Sequence, residues 1–387
     1  MMTGPTDFSV LIVDDSAVFR RVLSRGLDAV SGVRVIGSVA SAAEARAFLA
    51  VRRPDVIALD IEMPGEDGLS FLRDQMARDP IPTVVISALT ARGVRITISA
   101  LEAGAVDVVA KPAGLAPGKV IPDGGFEDIA VRLRSAATAR LTARAGQRGF
   151  VQPTTAPLPL RPTAPAPAIV ALRPDWVIAI GSSTGGVQAL TTLLPMLPAD
   201  GPPVAIVQHM PEGFTAAFAK RLDTLCAMSV REAVDGDALT PGSVLIAPGG
   251  ERHMRIETEA GVLRARLVDG PPVCFSRPSV DVMMTSLAAA WPARISAAIL
   301  TGMGSDGADG LLRIHASGGR TFAQDEATSQ IYGMPARAWE RGGAEDRVPL
   351  DQMAARLLAS VGRAPPDRAL SDPAEFATRP PSRLFQS

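Results

Sequence analysis

Along two long parts of this chain, short apolar runs that end in chemistry-bearing residues alternate with helical stretches. In the first part the runs are SVLIVDD, VRVIGSVA, DVIALD, PTVVISA and AVDVVAKP; in the second they include WVIAI, VAIVQ, SVLIA, SAAILT and GRTFAQ. Strands this uniformly apolar are buried on both faces, and their alternation with amphipathic helices brings them into parallel sheets. The fold class is therefore α/β, twice over. Between Met254 and Val268, MRIETEAGVLRARLV alternates around a Glu-Ala-Gly turn, which predicts an antiparallel β-hairpin added to the second, mostly parallel, doubly wound sheet.

The two parts are separated where periodicity dissolves. From Leu141 to Pro174 the chain is rich in Pro, Ala and Thr, and between Ile129 and Pro174 it carries seven arginines and no acid. Proline at that density predicts an extended, solvated connector. A second aperiodic stretch with five prolines follows Gly362. The expected division is a first domain over 6–130, a linker over 131–173, a second domain over 174–362 and a disordered tail over 363–387. In 387 residues, 47% hydrophobic content is enough for two such cores, and 39 basic against 40 acidic residues give no reason to expect a nucleic-acid partner. No apolar run reaches membrane-spanning length, and the N-terminus lacks the pattern of a secretory signal. Cys226 and Cys274 have no metal-site spacing and read as reduced thiols that pack, so the expected location is cytoplasmic.

In the first block, separate strands end in Asp14-Asp15, in Asp60, in Ser87 and in Lys111. Ligands of open parallel sheets bind beyond the carboxyl ends of the strands, so these groups are expected to converge at one edge. Clustered carboxylates need a cation, and hard oxygen donors beside a phosphate suit Mg²⁺. One acid after one strand is an ordinary loop residue; this ordered set is poorly explained that way. The segments LIVDDS, DVIALDIEMPGEDGL, VVISALT and AGAVDVVAKP resemble the receiver domain of two-component response regulators, whose sheet is flavodoxin-like and five-stranded. The resemblance implies that Asp60 is phosphorylated by a histidine kinase. It also implies that Asp14, Asp15, Asp60 and the Glu62 backbone carbonyl surround Mg²⁺, with Ser87 and Lys111 contacting the phosphoryl group. Many receivers carry a reorienting aromatic three residues before the lysine; here that position is Val108, so the signal must leave by another route.

In the second block, WVIAIGSSTGG delivers Ser182, Ser183 and Thr184 to the end of a strand, with Gly181, Gly185 and Gly186 permitting tight turns and a helix starting near Val187. The turn fits neither a dinucleotide fingerprint nor a P-loop. A nucleophilic serine requires a base and an orienting acid. His209 follows the next strand, and Asp306 and Asp309 lie in a glycine-rich loop after a third. The order Ser, His, Asp and the missing G-x-S-x-G exclude the α/β-hydrolase pattern. These segments, with APGGERHM, RPSVDVMMTSLA and FAQDEATSQIYGMP, resemble the catalytic domain of the CheB family of chemotaxis protein-glutamate methylesterases. The resemblance implies Ser183 as nucleophile, His209 as base, Asp306 as orienting acid, Thr184 in support and backbone around Met303 in an oxyanion hole. It also implies phosphorylation-gated hydrolysis of glutamyl methyl esters, and deamidation of glutamines, on chemotaxis receptors, with no cofactor for the esterase. Ser305 stands where asparagine is more usual. His253 is either a groove residue or structural; His315 and the Met283-Met284 pair read as structural. A docking module without turnover is the rival class. A DNA-binding regulator is disfavoured by the lack of a basic helix-turn-helix pattern.

Overall fold

The computed structural model describes residues 7–88, 90–111, 125–140 and 175–362. The linker expectation over 141–173 and the tail expectation over 363–387 lie outside the described residues.

The first block is a parallel sheet of β1 (Phe8–Val13), β2 (Val33–Val39), β3 (Val56–Leu59), β4 (Thr83–Ser87) and β5 (Asp107–Ala110), in the order β2-β1-β3-β4-β5. It is wrapped by α1 (Ala17–Asp28), α2 (Ala42–Leu49), α3 (Gly68–Arg78), α4 (Ala91–Ala103) and α5 (Gly125–Ala137). Side-chain N-caps start four of these helices: Ser16, Ser41, Asp67 and Thr90 each accept a backbone N–H three residues on, a bond worth about 1 kcal/mol. The expected domain boundary at residue 130 falls inside α5. That helix runs on because Leu133 and Ala136 continue its apolar face into the core with Ile129 and Ala130.

The second block has seven parallel strands: β6 (Val177–Ser182), β7 (Val204–Gln208), β8 (Ser229–Glu232), β9 (Ser243–Ile246), β12 (Ile295–Ile299), β13 (Arg320–Gln324) and β14 (Asp346–Val348). Their order is β14-β13-β12-β6-β7-β9-β8. The surrounding helices are α6 (Gly186–Leu193), α7 (Phe214–Asp223), α8 (Val280–Ala290), α9 (Ala308–Ala316), α10 (Met334–Glu340) and α11 (Leu350–Ser360). The hairpin is present as β10 (Arg252–Glu259) and β11 (Val262–Asp269) but forms its own two-stranded sheet rather than extending the large one. Its buried Met254, Ile256, Leu263 and Ala265 join the apolar cluster of α8, so helix packing takes the place of strand pairing. Met283 and Met284 are fully buried in that cluster.

The blocks meet along α4 and the start of β5. Ile98, Leu101, Ala105 and Val108 share one continuous apolar cluster with Val187, Leu190, Phe218 and Leu222 of α6 and α7. Val108, where a mobile aromatic was absent from the sequence, is 1% exposed and lies within this seam.

Candidate active site and phosphorylation site

Sheet order decides which strand ends are neighbours. β12, β6 and β7 are adjacent, so the residues after each of them share one rim. Ser183 follows β6, His209 follows β7, and Asp306 lies in the loop between β12 and α9. His209 Nε2 is 2.8 Å from Asp306 Oδ2. That leaves Nδ1 as the ring nitrogen able to take a proton, and the Ser276 hydroxyl lies 3.4 Å from it. Among the described residues, Ser183 Oγ makes no hydrogen bond, to His209 or otherwise.

The bare backbone around Ser183 is a packing requirement. A Cβ on Gly186 would come within 2.0 Å of Gln208 Oε1, one on Gly181 within 2.3 Å of Val280 Cγ1, and one on Gly302 within 2.8 Å of Ser183 Cβ. Gly185 has φ +82° and starts α6 one residue earlier than the sequence suggested. The hydroxyls flanking Ser183 are both committed. Ser182 Oγ donates to Gln208 Oε1 at 2.6 Å, and Thr184 Oγ1 donates to Asp107 Oδ2 of the first block at 2.8 Å. Among the described residues, the backbone N–H groups of Thr184 and Met303 have no hydrogen-bond partner.

Asp306 sits at the N-terminus of α8. Its Oδ1 accepts from Ser279 Oγ (2.7 Å) and the Asp281 N–H (3.0 Å), and its Oδ2 from the Val280 N–H (2.7 Å). Burial works against its charge, yet these donors and His209 hold its carboxyl below the ordinary carboxylate range. Sequence reasoning missed both Ser279 and Gln208. Gln208 Nε2 donates to the Ser183 and His209 carbonyls and so fixes two site residues at once. The serine immediately before an apolar helix was a legible N-cap signal; Gln208 looked like the last residue of a strand.

Behind Asp306 lies Asp281, whose carboxyl is pushed up to about 7 by burial and then by the Asp306 charge. The folded chain keeps a proton there that the unfolded chain sheds around its ordinary value of 3.8. This group's contribution to stability is thus fullest below about pH 4 and declines as pH rises towards about 7. Asp281→Asn, which cannot ionise, is expected to lose less melting temperature than the parent between pH 4 and 8. A constant gap between the two across that range contradicts the assignment.

The other candidates separate cleanly. His253 is 3% exposed and bonded to backbone at both ring nitrogens, to Pro271 O and the Ser279 N–H, which makes it a loop brace. His315 lies 3.3 Å from Thr321 Oγ1, away from the rim. Asp309 points outward and pairs with Arg341. Cys226 packs as expected, and burial then Asp223 push its thiol up to about 11. Cys274, also expected to pack, is exposed instead, because it occupies a turn.

In the first block, β1, β3, β4 and β5 are successive neighbours, which gathers their C-terminal residues. Carboxylate oxygens of Asp14, Asp15 and Asp60 all lie within 4.8 Å of one another. Lys111 Nζ is 2.7 Å from Asp14 Oδ2 and 2.6 Å from Asp60 Oδ2. Asp14 Oδ2 has this ion pair but no well-directed hydrogen bond, and burial holds its carboxyl above the ordinary range. A hard divalent cation placed among these oxygens relieves both conditions, so the donor set fits one. Ser87 is fully buried at the end of β4, and the Lys111 N–H donates to its carbonyl at 2.8 Å. The Glu62 N–H donates to Asp60 Oδ1 at 3.0 Å, which places the residue expected to offer its carbonyl beside the acid.

Comparison with known proteins follows the same division. A family model described as CheB methylesterase matches residues 178–357, and one described as response regulator receiver domain matches residues 10–117. A Cereibacter sphaeroides protein-glutamate methylesterase/protein-glutamine glutaminase is 51% identical over 352 residues, 91% of this chain and 92% of that one. A Pseudomonas aeruginosa protein of the same description is 46% identical, covering 92% of this chain and 97% of its own. The crystal structure of the Thermotoga maritima CheB methylesterase catalytic domain is 36% identical, covers 48% of this chain and 98% of its own, and has a TM-score of 0.47.

Proposed function

Since the chain belongs to the CheB methylesterase family, with a receiver domain ahead of the esterase domain, we propose that it hydrolyses glutamyl methyl esters, and deamidates glutamines, on chemotaxis receptors under control of phosphorylation at Asp60. The observation that carries the chemistry is the alignment of Ser183, His209 and Asp306 on three adjacent strand ends, with the imidazole already oriented by the acid.

In the proposed reaction, Ser183 Oγ attacks the ester carbonyl while His209 Nδ1 takes its proton. Asp306, bonded to Nε2, fixes the tautomer and stabilises the imidazolium. The N–H groups of Thr184 and Met303, unpartnered among the described residues, would face the developing oxyanion, each such donor being worth about 3 kcal/mol. The proton passes to the departing methoxide, methanol leaves, and an acyl-enzyme remains on Ser183. Water, deprotonated by His209, attacks the acyl carbon and releases the glutamate and the serine. With a glutamine substrate, ammonia leaves in place of methanol.

Phosphorylation belongs to the first block. Asp14, Asp15, Asp60 and the Glu62 carbonyl would hold Mg²⁺, which would supply positive charge between the acids and the phosphoryl group. Lys111 and Ser87 receive the phosphoryl oxygens transferred from a histidine kinase. The chain acts in the cytoplasm in this reading; among the described residues, no helix is long and apolar enough to cross a membrane.

The structure supports a closed resting state. Asp107, Val106 and Leu101 of the receiver lie over Ser183 and His209, and the space left between them is about 10 Å³, at the limit for one water. Strand β5 spans both tasks: Lys111 follows its C-terminal end and Asp107 begins it, four residues covering roughly 13 Å. Any shift of β5 as Lys111 re-pairs from Asp60 to a phosphoryl group is passed to the Asp107–Thr184 bond beside the nucleophile. Methanol release from methylated receptor is expected to rise at least tenfold with a small-molecule phosphodonor and Mg²⁺, as the population shifts towards the open form. Equal rates with and without the donor contradict the gating. No methanol under either condition contradicts the esterase reading and leaves the docking module.

A further inference from the structure

A turn beside the histidine has an unusual composition. Val273 and Ser276 exchange both backbone hydrogen bonds, at 3.1 and 2.9 Å, around the pair Cys274-Phe275. Both central residues have positive φ, +49° and +61°. Two-residue turns of that shape normally take Asn-Gly, because side chains with a Cβ are strained there. Here the second place holds a phenylalanine that is completely exposed, at 104% of its reference area.

The exposure is not looseness. His253 ties down both ends of the segment, Arg277 Nη1 donates to Gly270 O at 2.8 Å, and the turn's Ser276 hydroxyl reaches His209 Nδ1. Cys274 Sγ lies 3.9 Å from Ser305 Oγ, so the turn adjoins the loop of Met303, whose side chain is also exposed. Strain and an apolar ring in water both oppose folding; such features persist at functional sites. Phe275 is one residue, about 3.8 Å of chain, from the serine on the catalytic imidazole.

We propose that Phe275 is a specificity-determining anchor for the protein substrate, packing against an apolar side chain next to the esterified glutamate. The inference rests on the esterase reading given above. The occupant is the substrate because the turn is continuous with the site: a carbonyl delivered to Ser183 brings its flanking chain across this turn. A small ester carries no flanking chain to lay across the turn, so its hydrolysis is expected not to depend on Phe275.

The test compares methylated receptor with the methyl ester of a blocked glutamyl dipeptide, both with phosphodonor and Mg²⁺. Phe275→Ala is expected to raise KM for the receptor roughly tenfold, as for half the burial of one aromatic side chain, with kcat and the dipeptide reaction unchanged. Phe275→Leu is expected to restore most of the loss. Phe275→Gly, which relieves the left-handed strain, is expected to melt no lower than the parent while binding receptor as poorly as the alanine variant. An unchanged receptor KM, or an equal loss on the dipeptide, overturns the proposal. A parent protein inactive on both substrates overturns the esterase reading, and this inference with it.

Discussion

Ser183→Ala is expected to lower kcat for methanol release by at least about 10³-fold, with an unchanged melting curve. The activity loss is large because neither flanking hydroxyl can substitute. Ser182 is buried with its hydroxyl on Gln208, and the Thr184 hydroxyl is held by Asp107. The fold is spared because, among the described residues, Ser183 Oγ makes no hydrogen bond and nothing is left unpaired when it goes. One hydroxyl does compete for the role, that of Ser276, 3.4 Å from the same imidazole nitrogen. If Ser183→Ala retained activity and Ser276→Ala abolished it, the nucleophile would be reassigned to the turn. Ser183 is favoured because the N–H groups of Thr184 and Met303, without partners among the described residues, adjoin its strand end.

Gln188→Ala is expected to raise unphosphorylated activity by about 10- to 30-fold, towards the phosphorylated ceiling. Gln188 Nε2 donates across the seam to the carbonyls of Leu101 (2.6 Å) and Ala105 (2.7 Å). Each bond is worth about 1 kcal/mol net, and losing both shifts a closed-to-open equilibrium by more than tenfold. The residue lies on α6, outside the receiver, so the substitution does not disturb phosphorylation itself. The exposed Arg221–Glu102 pair also crosses the seam, but an ion pair in water contributes little, and removing it should matter far less. The measurement is the methanol rate without phosphodonor, and then the further gain on adding it. Unchanged basal activity in a protein whose parent responds to the donor would mean the apolar seam and the other cross-seam bonds, Thr184–Asp107 among them, hold the closed form without Gln188. A fall in both rates would mean that Gln188 supports the esterase site.

Much of this molecule is legible one residue at a time. The apolar strands and capped helices follow from local pattern, since a strand buried on both faces and a hydroxyl before a helix leave direct marks in sequence. The strand-end placement of Ser183, His209, Asp306, Asp14, Asp60 and Lys111 was readable for the same reason. The positions that misled are those where a non-local partner overrode local pattern. The hairpin alternates like an edge strand but packs on α8, α5 runs past the composition change because Leu133 and Ala136 find the receiver core, and Cys274 is apolar by type yet exposed by the turn it occupies.

Chain pattern by itself determined that two α/β units carry two sets of chemical groups at the ends of their strands. It did so because burial of a parallel strand dictates composition and leaves the loop after it free to carry function. Only the tertiary structure decided that β12, β6 and β7 are neighbours, that the N-terminus of α8 holds Asp306, and that the receiver lies across Ser183. Strand order and the docking of one unit on another are set by contacts between residues far apart in the chain. Those contacts depend on surface complementarity, which no periodicity records.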